Sequence, residues 1–192
     1  MTTILRAWSA ALLLAGLLTT ADAKVSDQDR EDLRVVSQGY AQLYQMVSGL
    51  AHLDKAKYVK IESDKIESMN EDIAATAGGL KDQLEELAER YPSLNLDDSG
   101  LPEIEKKKRR AIRWDRFADL APIVGKTGKD YERTLLVTEI GLLNSVRFLL
   151  EVTSEEEKNP KRAALLTKAR GRFDDLFDRA VRLLERDYFC AS

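Results

Sequence analysis

Glu139 is the residue whose placement in this chain most invites chemistry. It falls on a helical seam with Leu135, Leu142, Val146 and Leu149, which puts a carboxylate at a core-facing position. A buried carboxylate without a partner costs several kcal/mol or holds its proton to higher pH, so a partner is expected. Arg113, Arg170 and Arg172 are the candidates to reach it across a bundle. Such a pair more often sets helix register than performs a reaction.

Other catalytic chemistries find little to work with. A di-iron carboxylate centre in a helical bundle needs Glu-x-x-His pairs on two helices. This chain has one histidine, His52, with Gly49 three positions before it. The same scarcity removes the HExxH motif and histidine-rich zinc sites. Covalent haem needs Cys-x-x-Cys-His, which is absent. Gly125-Lys126-Thr127-Gly128 carries the letters of a phosphate loop but lacks the earlier glycine and the preceding strand. It reads as a turn. No Gly-x-Ser-x-Gly elbow occurs, and the lone thiol, Cys190, stands two residues from the C-terminus without a basic neighbour positioned to activate it. Cys190 can form no intramolecular disulfide. In an oxidising compartment it could pair between chains, as in a homodimer, or with a small thiol; the plainer reading is a free terminal thiol. No catalytic set, cofactor or metal site is expected.

One charged feature stands out. Lys106, Lys107, Lys108, Arg109 and Arg110 run together and continue through Arg113 and Arg116. They fall just inside a helix start, where positive charge opposes the helix dipole. Interleaved Trp114 and Phe117 could support docking or belong to the core. The surface suits an anionic partner such as lipid headgroups, envelope polymers or an acidic protein. The plainer reading is a solvated face balanced by the chain's many acids.

The elements that must position these residues are helices throughout. Leu33, Val36, Tyr40, Leu43, Val47 and Leu50 step by three and four along a first helix capped by Ser26 or Asp27. A second, about 55–91, carries Ile66, Met69, Ile73, Ala77, Leu80, Leu84 and Leu87; it would overreach its neighbour unless Gly78-Gly79 kinks or interrupts it. Pro92 ends it. The stretch 93–101 is a loop, and Pro102 opens a third helix running to about Ala121. The fourth, about 129–153, is apolar over most of its circumference and is expected to be central. Asn159-Pro160 starts the fifth, with its seam at Leu166, Ala169, Phe173, Leu176, Ala180 and Leu184. Close helix approach is expected to compensate for Gly141 and Gly171. The fold class is all-α, an antiparallel up-and-down bundle of four main helices and a shorter fifth.

Residues 1–23 have the layout of a secretory signal peptide: Arg6, an apolar stretch from Ala7 to Leu18, and Ala21-Asp22-Ala23 at the cleavage site. The stretch is shorter than the roughly 20 apolar residues that span a bilayer, and no later segment replaces it. Residues 24–192 then form one exported domain, periplasmic or secreted. Net charge is −3, unlike a strongly basic nucleic-acid binder. The expected function is non-enzymatic binding of another macromolecule or an anionic envelope component. A small-ligand or metal sensor would instead show a polar pocket around Glu139, and a periplasmic chaperone-like bundle an exposed apolar groove.

Overall fold

The computed structural model describes residues 27–53, 61–120 and 128–189, with the backbone alone for 27, 28 and 112–120. Residues 1–26, where a leader is expected, Cys190 and residues 125–127 lie outside the described residues, as do the side chains of Arg113, Trp114, Arg116 and Phe117. Five helices are present: α1 (Asp27–Leu50), α2 (Asp64–Arg90), α3 (Glu103–Leu120), α4 (Lys129–Glu156) and α5 (Pro160–Leu184). A π-helical turn, Glu185–Phe189, prolongs α5. Among the described residues there is no strand. The fold is the all-α antiparallel bundle that the heptad seams imply.

Cross-helix contacts define the arrangement. α4 pairs with α5 and α1, and α2 pairs with α1 and α5, closing a square with α2 and α4 on one diagonal. The Tyr40 hydroxyl donates to Glu157 and Arg162 stacks on Tyr91, so the start of α5 and the ends of α2 and α4 share one end of the bundle. At the other end Glu132, Ser63 and Tyr188 converge. Square neighbours are therefore antiparallel. Because α2 finishes at the first end and α4 begins at the second, the connection must travel the bundle's length, and α3 carries it. At 1.5 Å per residue its 18 residues reach about 27 Å. Counted with α3, chain direction alternates from helix to helix. None of residues 103–111 is buried, so the first half of α3 lies on the outside of the core.

Most core residues of α1, α2 and α5 are those the seams name, but Leu33 is 40% exposed and Leu87 and Leu184 are only partly buried. On α4 the buried leucines are Leu136, Leu143 and Leu150 rather than the expected Leu135, Leu142 and Leu149, because α4 is apolar on several sides and its neighbours set which side faces inward. Val36, Tyr40, Leu43, Val47 and Leu50 of α1 are buried, as are Ile66, Met69, Ile73, Ala77, Leu80 and Leu84 of α2 and Leu166, Ala169, Phe173, Leu176 and Ala180 of α5. Asn159 caps α5 as expected, its side-chain oxygen accepting from the backbone N–H groups of Lys161 and Arg162, with Pro160 in the first turn.

Four expectations are corrected. First, α2 begins at Asp64 rather than near Lys55. A longer helix would engage the N–H groups of Glu62 and Ser63 with carbonyls four residues back, whereas both donate to the Glu132 carboxylate. Second, the helix runs unbroken through Gly78-Gly79. With 27 residues against the 24 of α1, no length mismatch is left for those glycines to absorb. Third, α4 is not enclosed: Val137, Phe148 and Val152 are each about half exposed. It is a corner of the square, buried where α1 and α5 meet it and where Asn70, Glu62 and Ser63 reach Glu139 and Glu132. Fourth, a Cβ at Gly141 or Gly171 would meet nothing within 4 Å, so no close approach explains them. The close approach is at Gly39, where a Cβ would stand 2.6 Å from Thr153 Oγ1 on α4.

Candidate functional site

The inner seam of α4 reads Glu132, Leu136, Glu139, Leu143, Val146, Leu150, Thr153, with Glu157 one step beyond the helix, and all eight are buried. Three carboxylates therefore line one core face. The outer two are fully engaged. Glu132 Oε1 accepts from the N–H groups of Glu62 at 2.9 Å and Ser63 at 2.8 Å, and Oε2 from the Tyr188 hydroxyl at 2.7 Å. Its charge sits against the N-terminus of α2, where the helix dipole favours it. Burial raises the Glu157 carboxyl, but the two-pronged Arg162 guanidinium (2.8 Å to each oxygen), the Asn159 N–H and Tyr40 together hold it below the usual carboxylate range. Tyr40 and Tyr188 are pushed the other way, by burial first and then by the carboxylate each faces. Each end of the bundle is thus closed by a carboxylate–tyrosine clamp.

Glu139, between them, is different. It is 1% exposed, and burial pushes its pKa up to about 8. Neither Arg170 nor Arg172, two of the three arginines expected to pair with it, does so. Arg170 bridges Glu151 and Asp174, Arg172 is exposed in the groove between α2 and α5, and the Arg113 side chain is outside the described residues. The partner is Asn70, on the diagonally opposite helix. Oriented with its nitrogen toward the carboxyl, it donates to both Glu139 oxygens, to Oε2 at 3.3 Å. An amide can serve either state of the acid, donating to a carboxylate or accepting from a carboxylic acid. The pair separates a small apolar cluster around Ile66, Leu136 and Leu183 from the main core. Neutral partnering removes the need for a cation. The groove between α2 and α5 described below does not include Glu139 in its lining.

The basic run at the start of α3 is exposed but partly neutralised within its own helix. Lys106 pairs with Glu103 at 3.5 Å, while Lys108 and Arg109 hold Glu105 at 2.6 and 3.0 Å. Those hydrogen bonds draw the Glu105 carboxyl below its ordinary range. Lys107 and Arg110 project without an ion pair among the described residues. His52 is exposed in the turn that follows α1. Among the described residues no cluster of histidine, cysteine and carboxylate side chains is grouped as a metal would require.

A second cationic surface lies along the α2–α5 seam. Lys161, Lys168, Arg172, Arg179, Arg182 and Arg186 recur at spacings of seven, four, seven, three and four. Helical spacing places them on one face. Toward the second end Arg179 is held by Asp72, and Arg186 and Lys65 by Asp187. Toward the first end, Lys161, Lys168 and Arg172 rim a groove of about 310 Å³ floored by Leu80, Leu165, Ala169 and Phe173. Thr76 and Gln83 complete the polar lining, which includes no carboxylate. Those three cations form no ion pair among the described residues. α5 carries seven basic residues to three acidic, whereas α2 carries three to eight. Sequence reading overlooked this surface because it sought basic residues in an unbroken run; plotting α5 at 100° per residue reveals it.

No protein family model, curated protein or solved structure matches this chain. No described helix is long and apolar enough to cross a membrane.

Proposed function

We propose that the protein is an exported, non-enzymatic bundle that binds an anionic envelope component through the groove between α2 and α5. One observation carries the reading: three exposed cations, Lys161, Lys168 and Arg172, rim an apolar-floored groove that no carboxylate lines. Unpaired cations keep their full attraction for an incoming anion, whereas those of α3 already share Glu103 and Glu105. Lys107 and Arg110 extend the cationic surface as secondary contacts. The buried carboxylates act structurally in this reading, since Glu132 and Glu157 are saturated by internal donors and Glu139 is sealed from solvent.

The reading is tested by co-sedimentation with vesicles containing anionic lipid and with a soluble polyanion, each at about 10 mM and about 150 mM salt, where the screening length shrinks from about 30 Å to about 8 Å. Association is expected at low salt and should weaken at high salt. Lys161→Glu with Lys168→Glu and Arg172→Glu should abolish it, whereas Lys107→Glu with Arg110→Glu should reduce it only in part. Binding untouched by the α5 changes would move the site elsewhere. No association at low salt would end the proposal.

A further inference from the structure

The outer face of α4 has a property that the groove does not explain. Along it, the exposed or half-exposed positions Thr134, Val137, Gly141, Asn144, Ser145, Phe148 and Val152 carry no charge, in a chain of which 33% is charged. At 100° per residue this stripe points directly away from Leu136, Leu143, Val146 and Leu150, so nothing in the bundle core reaches it. Val137 is 51% exposed, Phe148 55% and Val152 50%. The open space at Gly141, where a Cβ would meet nothing within 4 Å, leaves a shallow depression between them.

The stripe is also symmetric about its own centre. Val137 precedes Asn144 by seven residues and Val152 follows Ser145 by seven; Gly141 precedes Asn144 by three and Phe148 follows Ser145 by three. We propose that this face pairs with the same face of a second copy of the chain, antiparallel, about a two-fold axis passing between Asn144 and Ser145. In that arrangement the partner's Phe148 ring fills the depression over Gly141, and the reverse contact forms with it. Val137 packs against the partner's Val152. Isologous contacts of this kind require a self-complementary patch, and a large residue set symmetrically against a glycine supplies one.

Charge agrees with the register. Asn144 and Ser145 meet their own copies at the axis, so no ion is buried at the centre. Arg133, which also pairs with Asp130 at 3.2 Å on its own helix, comes opposite the partner's exposed Glu156 at the rim, twice by symmetry. Other antiparallel registers would slide the aromatic ring off the glycine. The α2–α5 groove faces away from this surface, so a dimer would present two grooves and gain avidity for a repeating anionic partner. The dimer stands or falls independently of what the groove binds.

The test is sedimentation equilibrium of the protein over a concentration series, with Cys190→Ser as background. The chain should associate to twice its monomer mass and no further. Phe148→Glu should weaken association about tenfold or more while leaving helicity unchanged, since the ring is exposed in the monomer. Ser145→Cys, next to the axis, should form an intermolecular disulfide under mild oxidation, and Gly171→Cys on α5 should not. A monomer at every concentration, a dimer indifferent to Phe148→Glu, or cross-linking no faster at position 145 than at 171 would each overturn the proposal.

Discussion

Replacing Glu139 by glutamine should stabilise this protein, and more so as the pH rises. The folded-state pKa of about 8 stands above the ordinary 4.5, so the native state holds a proton that the unfolded chain gives up between those values. Stability due to this group is therefore greatest below pH 4.5 and declines as the pH climbs toward 8. Integrated over that shift, the cost is about 1 kcal/mol at pH 5 and about 4 kcal/mol at pH 8. The Asn70 amide, donating to the carboxylate, recovers about 1.5–3 kcal/mol once the acid ionises, the worth of a hydrogen bond to a charged group. The advantage of the variant should then grow by about 1–2 kcal/mol between pH 5 and pH 8. Glutamine keeps the shape and can still meet Asn70, so the comparison isolates the charge. Urea unfolding followed by circular dichroism at several pH values measures it, and titrations elsewhere in the chain cancel between the two proteins. An advantage that stays constant with pH would mean that Glu139 titrates as a solvated carboxyl. A variant less stable at pH 8 would mean that the fold needs the charge, and the burial argument would fail. Glu139→Leu should also fold, gaining less because it leaves Asn70 without a buried partner.

Gly171→Ala should raise stability by about 1 kcal/mol, because the site is helical and open, whereas Gly39→Ala should lower it by about 1–3 kcal/mol by pressing on Thr153; thermal or urea unfolding separates the two signs. Glu132→Ala should cost about 2–4 kcal/mol, since it strands two backbone donors and the Tyr188 hydroxyl, and Tyr188→Phe about 1 kcal/mol. If both changes prove neutral by denaturant titration, the clamp at that end of the bundle does not form in solution. Arg162→Ala should cost about 3 kcal/mol or more near neutral pH by leaving the Glu157 charge buried, and less in acid, where the carboxyl takes up its proton. The loss is read from unfolding curves at both pH values.

What could be read from the chain alone is what repeats along it. The three- and four-residue steps of α1, α2 and α5 identified their buried faces almost residue by residue, because those helices alternate clearly between apolar and charged sides. Asn159-Pro160 announced the start of α5 through local hydrogen bonding that needs no tertiary partner. Glu139 is buried, as expected, but of the seam that placed it only Val146 is buried with it, and Leu135, Leu142 and Leu149 are not. α4 resisted the same treatment: with leucines on every side, its pattern carries no phase, and only the placement of α1 and α5 around it decided that Leu136, Leu143 and Leu150 face inward rather than Leu135, Leu142 and Leu149. Partner choice was equally beyond local reach. Glu139 meets Asn70 rather than Arg170 or Arg172 because the bundle puts α2 across the diagonal from α4, and the cations of α5 form a groove only once α2 lies beside them. Periodicity along a helix records which side is buried; which residues meet there depends on how separate helices are brought together, and the chain's local spacing does not encode that.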